Sequence, residues 1–302
     1  MNDSPAQLQQ QLGLRQAVLA VSVLEDVDLT PHRDGVLLDG LRPALVPWAD
    51  VEEAIGPHAA LGPVAHRRLS DCLRLHRLVA DLGPMAPDVL SPAVRLLALP
   101  PDHSSHPGPG WVRARTMGGA LDRGIGLLGV LDGLDDVTAL PASVARVLGS
   151  GVLEWWRTAV SHADEMGSLC VSRLQRDHRS KPHPGICATQ NQLVLRPVGG
   201  VDVPTLLTTP ALRTYLASSD GSGMRAVAAP VRSRGWYDLA RIDPAFVQAA
   251  WAATDEGNRG LRRPLLVTVD EVVLAPAGGN MVAASLADPV ASSPFSRDVR
   301  YR

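Results

Sequence analysis

The sequence predicts an α+β fold, or a mixed α/β sheet, in which a helix-rich N-terminal third precedes a mixed sheet with packed helices. Segments 65–83 and 152–175 place apolar residues at the three- and four-residue steps of amphipathic helices. Segments 94–100 and 110–117 are short and apolar or alternating, as strands are. No repeat and no regular alternation of strand and helix is present, which argues against a doubly wound parallel sheet.

The first third contains signals for three helices and one hairpin. Ser4 and Pro5 are typical of a helix start and predict a helix through Val21. Residues 35–56 contain two short apolar runs around turn residues and then an acidic segment, which predicts a hairpin followed by a short helix. In the 65–83 helix, His76 lies in the apolar stripe, so we expect a hydrogen-bonded core histidine there rather than a metal ligand.

The middle of the chain combines loop, strand and helix signals. Residues 101–110 are rich in proline and glycine and lack periodicity, which predicts a loop after the buried strand at 94–100. The 152–175 helix carries small residues on its apolar face. Gly167 costs about 1 kcal/mol in a helix interior, so we expect a neighbouring element to approach closely at this position.

The second half predicts further strands with helices between them. Strands are expected at 192–198, on both sides of the "RSRG" segment within 224–242, and in 263–286. Helices are expected after Pro210 and after Asp243, which serves as N-cap. The sequence therefore predicts three regions of the chain: a helix-rich region at 1–105 with a small hairpin, a mixed α/β region at 106–287 and a flexible tail at 288–302. A long surface loop between paired strands would explain residue 105 equally well.

Composition narrows the class of protein. The chain has 302 residues and a net charge of −2, without the basic field that nucleic-acid or anionic-membrane binding needs. All basic residues except Lys181 are arginines, a bias typical of a GC-rich genome, although guanidinium groups also bind anions well. Three cysteines without C-x-x-C spacing, and no long apolar run, predict a soluble, cytoplasmic protein without disulfides or a membrane segment.

Gly124, Gly126 and Gly129 have the G-x-G-x-x-G spacing of a dinucleotide-binding turn. Such a turn needs a buried strand that ends at the first glycine and a helix that begins at the third. The residues before Gly124 do not have the pattern of a buried strand, and Gly133 and Pro141 interrupt the segment that follows. We therefore expect no cofactor site, but a strand or bend that packs closely on a neighbour.

Histidines provide weak candidates for a metal site. His103 and His106 form H-x-x-H in the 101–110 loop, but a zinc site needs at least one more ligand and rigid presentation. His162 and Glu165 share a face of the 152–175 helix, where a solvated face is the simpler interpretation. The sequence therefore predicts no metal.

Motifs for common catalysis are missing from the sequence, which contains no G-x-S-x-G, no Walker-type phosphate loop and no H-E-x-x-H. The densest polar segment lies around "RSRGWYDLARID", where several arginines flank two aromatic residues and could hold a phosphate or carboxylate. Asp238 is its one candidate general base. The residues expected to bind a ligand or partner are Arg225, Arg232, Arg234, Trp236, Asp238 and Arg241.

Two hypotheses for function follow. The first is a non-enzymatic binding or interaction protein, whose partner would be another protein, a second copy of the chain or a small anion. The second is an enzyme of unfamiliar type that acts on a small anionic substrate held by the arginines of residues 225–243, with Asp238 as base. Nucleic acid and membrane are disfavoured as partners by the charge and by the scarcity of aromatic residues.

Overall fold

The computed structural model describes residues 5–56, 62–131, 136–149, 152–179, 194–218, 221–237 and 242–275. It confirms the α+β class, because antiparallel sheets pack against helices throughout the described residues. The predicted tail at 288–302 lies outside these residues, as do Asp238 and Arg241.

The described helices are spread along the chain, and the longest of them runs from Val152 to Arg179. They are α1 (Pro5–Glu25), α2 (Trp48–Ile55), α3 (Pro63–Leu82), α4 (Ala86–Leu90), α5 (Ala142–Leu148), α6 (Val152–Arg179), α7 (Val203–Leu207), α8 (Pro210–Ser218) and α9 (Pro244–Ala252). None of the described helices has both the length and the apolar content that a bilayer-spanning segment needs.

The strands are short. They are β1 (Leu29–Pro31), β2 (Gly35–Leu38), β3 (Ala44–Pro47), β4 (Val94–Leu99), β5 (Arg113–Thr116), β6 (Leu121–Leu128), β7 (Val137–Ala139), β8 (Val194–Leu195), β9 (Met224–Val231), β10 (Arg234–Trp236), β11 (Leu265–Thr268) and β12 (Val272–Leu274). They form three sheets in the orders β1-β2-β3, β4-β6-β5 with β7 beside β6, and β12-β11-β9-β10-β8.

The N-terminal sheet is the predicted hairpin, β2 and β3, extended by β1. Its inner face packs against α1 and α3 through Val18, Val36 and Leu73. Helix α3 ends where the sequence predicts, because Gly83 adopts a positive φ of 57° that stops the helix. The sequence analysis did not predict β1, which has only three residues and a proline at its end.

The central sheet has one face against α6 and the other against the loop between β4 and β5. Leu96 and Ile125 pack on the α6 side with Ala163, while Leu97 and Leu99 face the loop. Both β4 and β5 pair with β6, so residue 105 lies in a loop that joins two strands of one sheet.

The C-terminal sheet packs on α6, α7 and α8. Gly167 lies where α6 meets the start of α8, and a Cβ there would approach Thr209 Oγ1 to 2.3 Å. The prediction of close packing at Gly167 is therefore confirmed. Asp243 caps α9 by accepting a hydrogen bond from Ala245 N–H at 2.9 Å, as predicted.

Candidate ligand-binding cleft

A cleft of about 850 Å³ opens between α3, strand β7 of the central sheet and loops beside the C-terminal sheet. One wall is α3, a second is the loop between β4 and β5, and a third is formed by the segment before α7 and the turn between β9 and β10. The polar residues that line it include Arg67, Arg68, Asp71, Ser104, Ser105, Thr138, Asp202 and Arg232. A volume of this size suits a small molecule.

Arg68 is the half-buried cation of the cleft. Its Nε donates a hydrogen bond of 2.6 Å to the carbonyl of His106, which fixes the guanidinium against the loop. Within the described part of the chain, no carboxylate forms an ion pair with Arg68 or with the exposed Arg67 beside it. Burial lowers the pKa of Arg68 from its ordinary value, because a cation loses hydration there.

The carboxylates of the cleft differ from these arginines because two of them already have partners. Asp202 Oδ2 accepts from Arg232 Nε at 2.7 Å, and Asp202 Oδ1 accepts from Thr205 N–H at 3.0 Å as the N-cap of α7. Asp71 also has an interaction partner. A third carboxylate, Asp136, lines the cleft beside β7. Arg232 is paired with Asp202, whereas Arg67 and Arg68 form no ion pair with a carboxylate within the described residues.

The loop wall of the cleft is held by a buried network around Asp122. This carboxylate is only 1% exposed, and it accepts hydrogen bonds from Arg113, from Arg115 Nε at 3.3 Å and from His106 Nε2 at 3.1 Å. The other ring nitrogen of His106, Nδ1, accepts from Gly108 N–H at 3.0 Å, so the proton of the neutral ring is on Nε2. Burial is the largest cause of the lowered pKa of His106, and the bond to Asp122 opposes it.

The glycines of the G-x-G-x-x-G spacing serve this same wall. Gly124 and Gly126 lie inside β6, and the Trp111 indole rests on Gly124, where a Cβ would approach its Cε2 to 2.3 Å. Gly126 gives the same room to Val137, and Gly129 has a positive φ of 65° after the strand. The expectation of a closely packed strand is confirmed, although the residues before Gly124 do belong to the strand.

A second polar network lies behind the cleft, between α3 and α5. Ser143 Oγ is 3.0 Å from His76 Nε2 and 3.6 Å from Cys72 Sγ, and all three side chains are buried. The prediction that His76 is a hydrogen-bonded core histidine is confirmed, and burial lowers its pKa to about 4. Burial raises the pKa of Cys72 to about 12, so its thiol stays protonated at neutral pH and is a poor nucleophile.

The arginines singled out in the sequence do not share one site. Arg225 is near the start of β9 and has an interaction partner, whereas Arg232 follows the end of β9 and lines the cleft. Six residues of β9 lie between them, and an extended strand of this length separates the two by roughly 20 Å. Arg234 is exposed at the start of β10. Trp236, at the end of β10, packs edge-on against Phe246 with their ring centroids 5.8 Å apart.

His103 and His106 both lie in the loop wall, and neither belongs to a metal cluster within the described residues. His106 uses both of its ring nitrogens, whereas His103 uses Nδ1 to accept from Ser105 N–H at 3.0 Å. On α6, the residues around His162 and Glu165 line a shallow surface depression. Arg67 and Arg68 were not among the residues predicted from the sequence, although two adjacent arginines near the start of an amphipathic helix are a usable signal.

Fold and cleft together define an α+β protein with a polar, arginine-bearing cleft. Comparisons with models of protein families, with curated proteins and with solved structures find no match for this chain. Its function has therefore to be argued from the geometry of the cleft.

Proposed function

We propose that the protein is a binding protein whose cleft holds a small anionic ligand, a carboxylate or a phosphate, at Arg67 and Arg68. The observation that carries this proposal is the half-buried Arg68 guanidinium, which has no carboxylate partner in the described part of the chain. A partly desolvated cation is costly unless an opposite charge compensates it, and guanidinium binds carboxylate and phosphate oxygens in a fork geometry.

Neighbouring groups favour the same ligand. The hydroxyls of Ser105 and Thr138 and the amide of Asn258 line the cleft and can donate hydrogen bonds to ligand oxygens. Binding is favoured over catalysis because Asp202 is engaged on both oxygens and Cys72 is a buried, protonated thiol. Arg225 and Arg232 lie too far apart to clamp one small substrate, which weakens the alternative of an enzyme acting at residues 225–243.

The test is isothermal titration of the purified protein with inorganic phosphate and with citrate. Arg68→Gln keeps a donor for the His106 carbonyl but removes the charge, and we expect it to weaken binding at least tenfold. Arg77→Gln is the matched control, because Arg77 is on the same helix but pairs with Asp81 away from the cleft. If neither anion binds, or if both variants lose affinity equally, the proposal is wrong.

A protein partner is the second candidate, and a specific observation on α1 favours a second copy of the chain. Leu12, Leu19 and Val23 are 61%, 48% and 82% exposed, and their spacing of seven and four places them on one face of the helix. Sedimentation equilibrium tests this candidate. Leu19→Glu is expected to abolish concentration-dependent dimerisation, and Val147→Glu, at an exposed apolar position on α5, serves as control. A monomeric wild-type protein would eliminate this candidate.

A further inference from the structure

A smaller cavity of about 230 Å³ lies next to the cleft and shares Ser104 with it. Its walls come from the start of α3, the loop after β4, the end of α9 and the turn that follows α9. They include Val64, Pro100, His103, Trp251 and Gly260. Because one water occupies about 30 Å³, this cavity has room for a group of several heavy atoms.

Two consecutive residues that line this cavity each have a polar side-chain atom that is buried but makes no hydrogen bond within the described part of the chain. They are Nε2 of His103, a residue that is 6% exposed, and Oγ of Ser104. Buried polar atoms in folded proteins are nearly always paired, so each unpaired one needs a partner from outside the chain. Both residues line the cavity and follow one another in the chain, so this wall is the candidate contact for a ligand group.

The unpaired nitrogen of His103 is a hydrogen-bond donor. Its Nδ1 accepts from Ser105 N–H, so the neutral ring carries its proton on Nε2. Burial, and then the Arg232 charge, lowers the pKa of His103 to about 4, so the ring is neutral at pH 7. The Arg259 carbonyl lies near the ring and opposes this shift, without the geometry of a hydrogen bond to Nε2.

We propose that this cavity binds an uncharged hydrogen-bond acceptor, an amide or ring carbonyl, that belongs to the same ligand whose anionic group binds at Arg67 and Arg68. The inference rests on the proposed function, and the shared lining residue Ser104 shows that the cavity and the cleft are neighbours. Arg259 also lines the cavity and is paired with Glu256 at 3.7 Å, so Asp102 is the carboxylate there that would repel a second anion, which favours an uncharged group. The acceptor oxygen takes the proton of Nε2, and the Ser104 hydroxyl donates to the same group.

The experiment uses the full chain and three kinds of probe. Inorganic phosphate and acetate supply only the anion, N-methylacetamide supplies only the acceptor, and N-acetylglycine, N-acetyl-β-alanine and N-acetyl-γ-aminobutyrate supply both with increasing spacing. Titration calorimetry gives the affinities, and ¹⁵N NMR follows the His103 ring nitrogens. We expect one of the linked probes to bind at least tenfold more tightly than acetate and to shift the Nε2 signal.

Two substitutions separate the donor from the fold. His103→Asn keeps an acceptor for Ser105 N–H but removes the Nε2 donor, whereas His103→Gln returns an N–H group close to the Nε2 position. We expect His103→Asn to abolish the gain of the linked probe and leave phosphate binding unchanged, and His103→Gln to recover part of the gain. Ser104→Ala, a change too small to endanger folding, is expected to reduce the gain severalfold.

The outcomes distinguish the two proposals. If phosphate binds but no linked probe gains affinity, the cavity holds ordered water only and this inference is overturned while the proposed function stands. If no anion binds, the proposed function fails. The cavity is then judged by N-methylacetamide alone, and an unchanged Nε2 signal overturns the inference. A gain that survives in His103→Asn also overturns it.

Discussion

His103 and His106 lie three residues apart in the loop between β4 and β5, and both are buried, but their surroundings differ. Each accepts at Nδ1 from the backbone N–H two residues further along. The Nε2 proton of His106 goes to Asp122, within a network completed by two arginines, whereas that of His103 has no acceptor in the described part of the chain. A fully paired buried network fixes a fold, and an unpaired donor beside a cavity is available to a ligand.

The difference also explains how the cleft keeps its shape. Asp122 connects β6, β5 and the loop through His106, and the loop in turn holds Arg68 through the His106 carbonyl. His106, the paired histidine, therefore positions the loop that also contains His103, the unpaired one. The difference between the two histidines can be tested by substitutions at Asp122, at Gly124 and at the histidines themselves, and by lowering the pH.

Asp122→Asn disrupts the buried network that pairs His106, and it is expected to have the largest effect. It removes the charge that compensates Arg113 and places an amide N–H group against a guanidinium, which costs about 3–5 kcal/mol of the free energy of unfolding. Urea denaturation measures the loss. The exposed Asp34 provides the control, since Asp34→Asn is expected to change stability by less than about 0.5 kcal/mol. A loss below about 1 kcal/mol would contradict a structural role for the network.

Acid is expected to reduce the free energy of unfolding by protonating His103, the histidine whose Nε2 is unpaired. Because its folded pKa of about 4 lies below the ordinary value of 6.5, the unfolded chain takes up the proton first. The contribution to stability is complete above pH 6.5, falls as the pH drops towards 4 and amounts to about 3 kcal/mol. We expect His103→Asn to make the decline of the unfolding free energy between pH 6.5 and 4 less steep, by the slope that corresponds to the uptake of up to one proton. Urea denaturation across this range measures the slope, and equal slopes would show that His103 is not buried neutral.

Gly124→Ala tests the packing that holds the network in place. The new Cβ would meet the Trp111 indole, which cannot move freely because its Nε1 donates to the Ile125 carbonyl at 2.8 Å and its ring touches His106 edge-on. We expect a loss of about 2 kcal/mol on urea denaturation. Gly13→Ala in α1, where a Cβ meets nothing within 4 Å, is expected to be neutral or to stabilise by up to about 1 kcal/mol. Equal effects would mean that Trp111 has room to shift.

The fold was largely predictable, because local periodicity and cap residues define most of its elements. Gly83 ends α3, Asp243 begins α9, and the alternation around Arg113 and Arg115 marks β5. Helices α5 and α7 were missed, since seven and five residues are too few for a periodic signal. The pairing of β4 with β5 through β6 could not be predicted either, because antiparallel register depends on contacts that are distant in sequence.

The candidate site was much less predictable. Sequence proximity grouped Arg225 with Arg232, but an extended strand places them at opposite ends. Arg68 reaches the carbonyl of His106 across a sequence separation of 38 residues, which no local pattern reports. The pairing of His106 depends on Asp122, which is 16 residues further along the chain and on another strand.

The smallest expected effects come from a matched pair of substitutions at the two histidines. Asparagine at either position keeps the bond to the backbone N–H two residues on and removes only the Nε2 donor. At pH 7 we expect His106→Asn to lower the free energy of unfolding by about 1–2 kcal/mol, because Asp122 loses a donor. His103→Asn is expected to cost less than about 0.5 kcal/mol, because its Nε2 makes no bond within the described part of the chain. Urea denaturation at one protein concentration compares the two, and an equal cost would mean that His103 has an acceptor within the folded chain and that its donor is not reserved for a ligand.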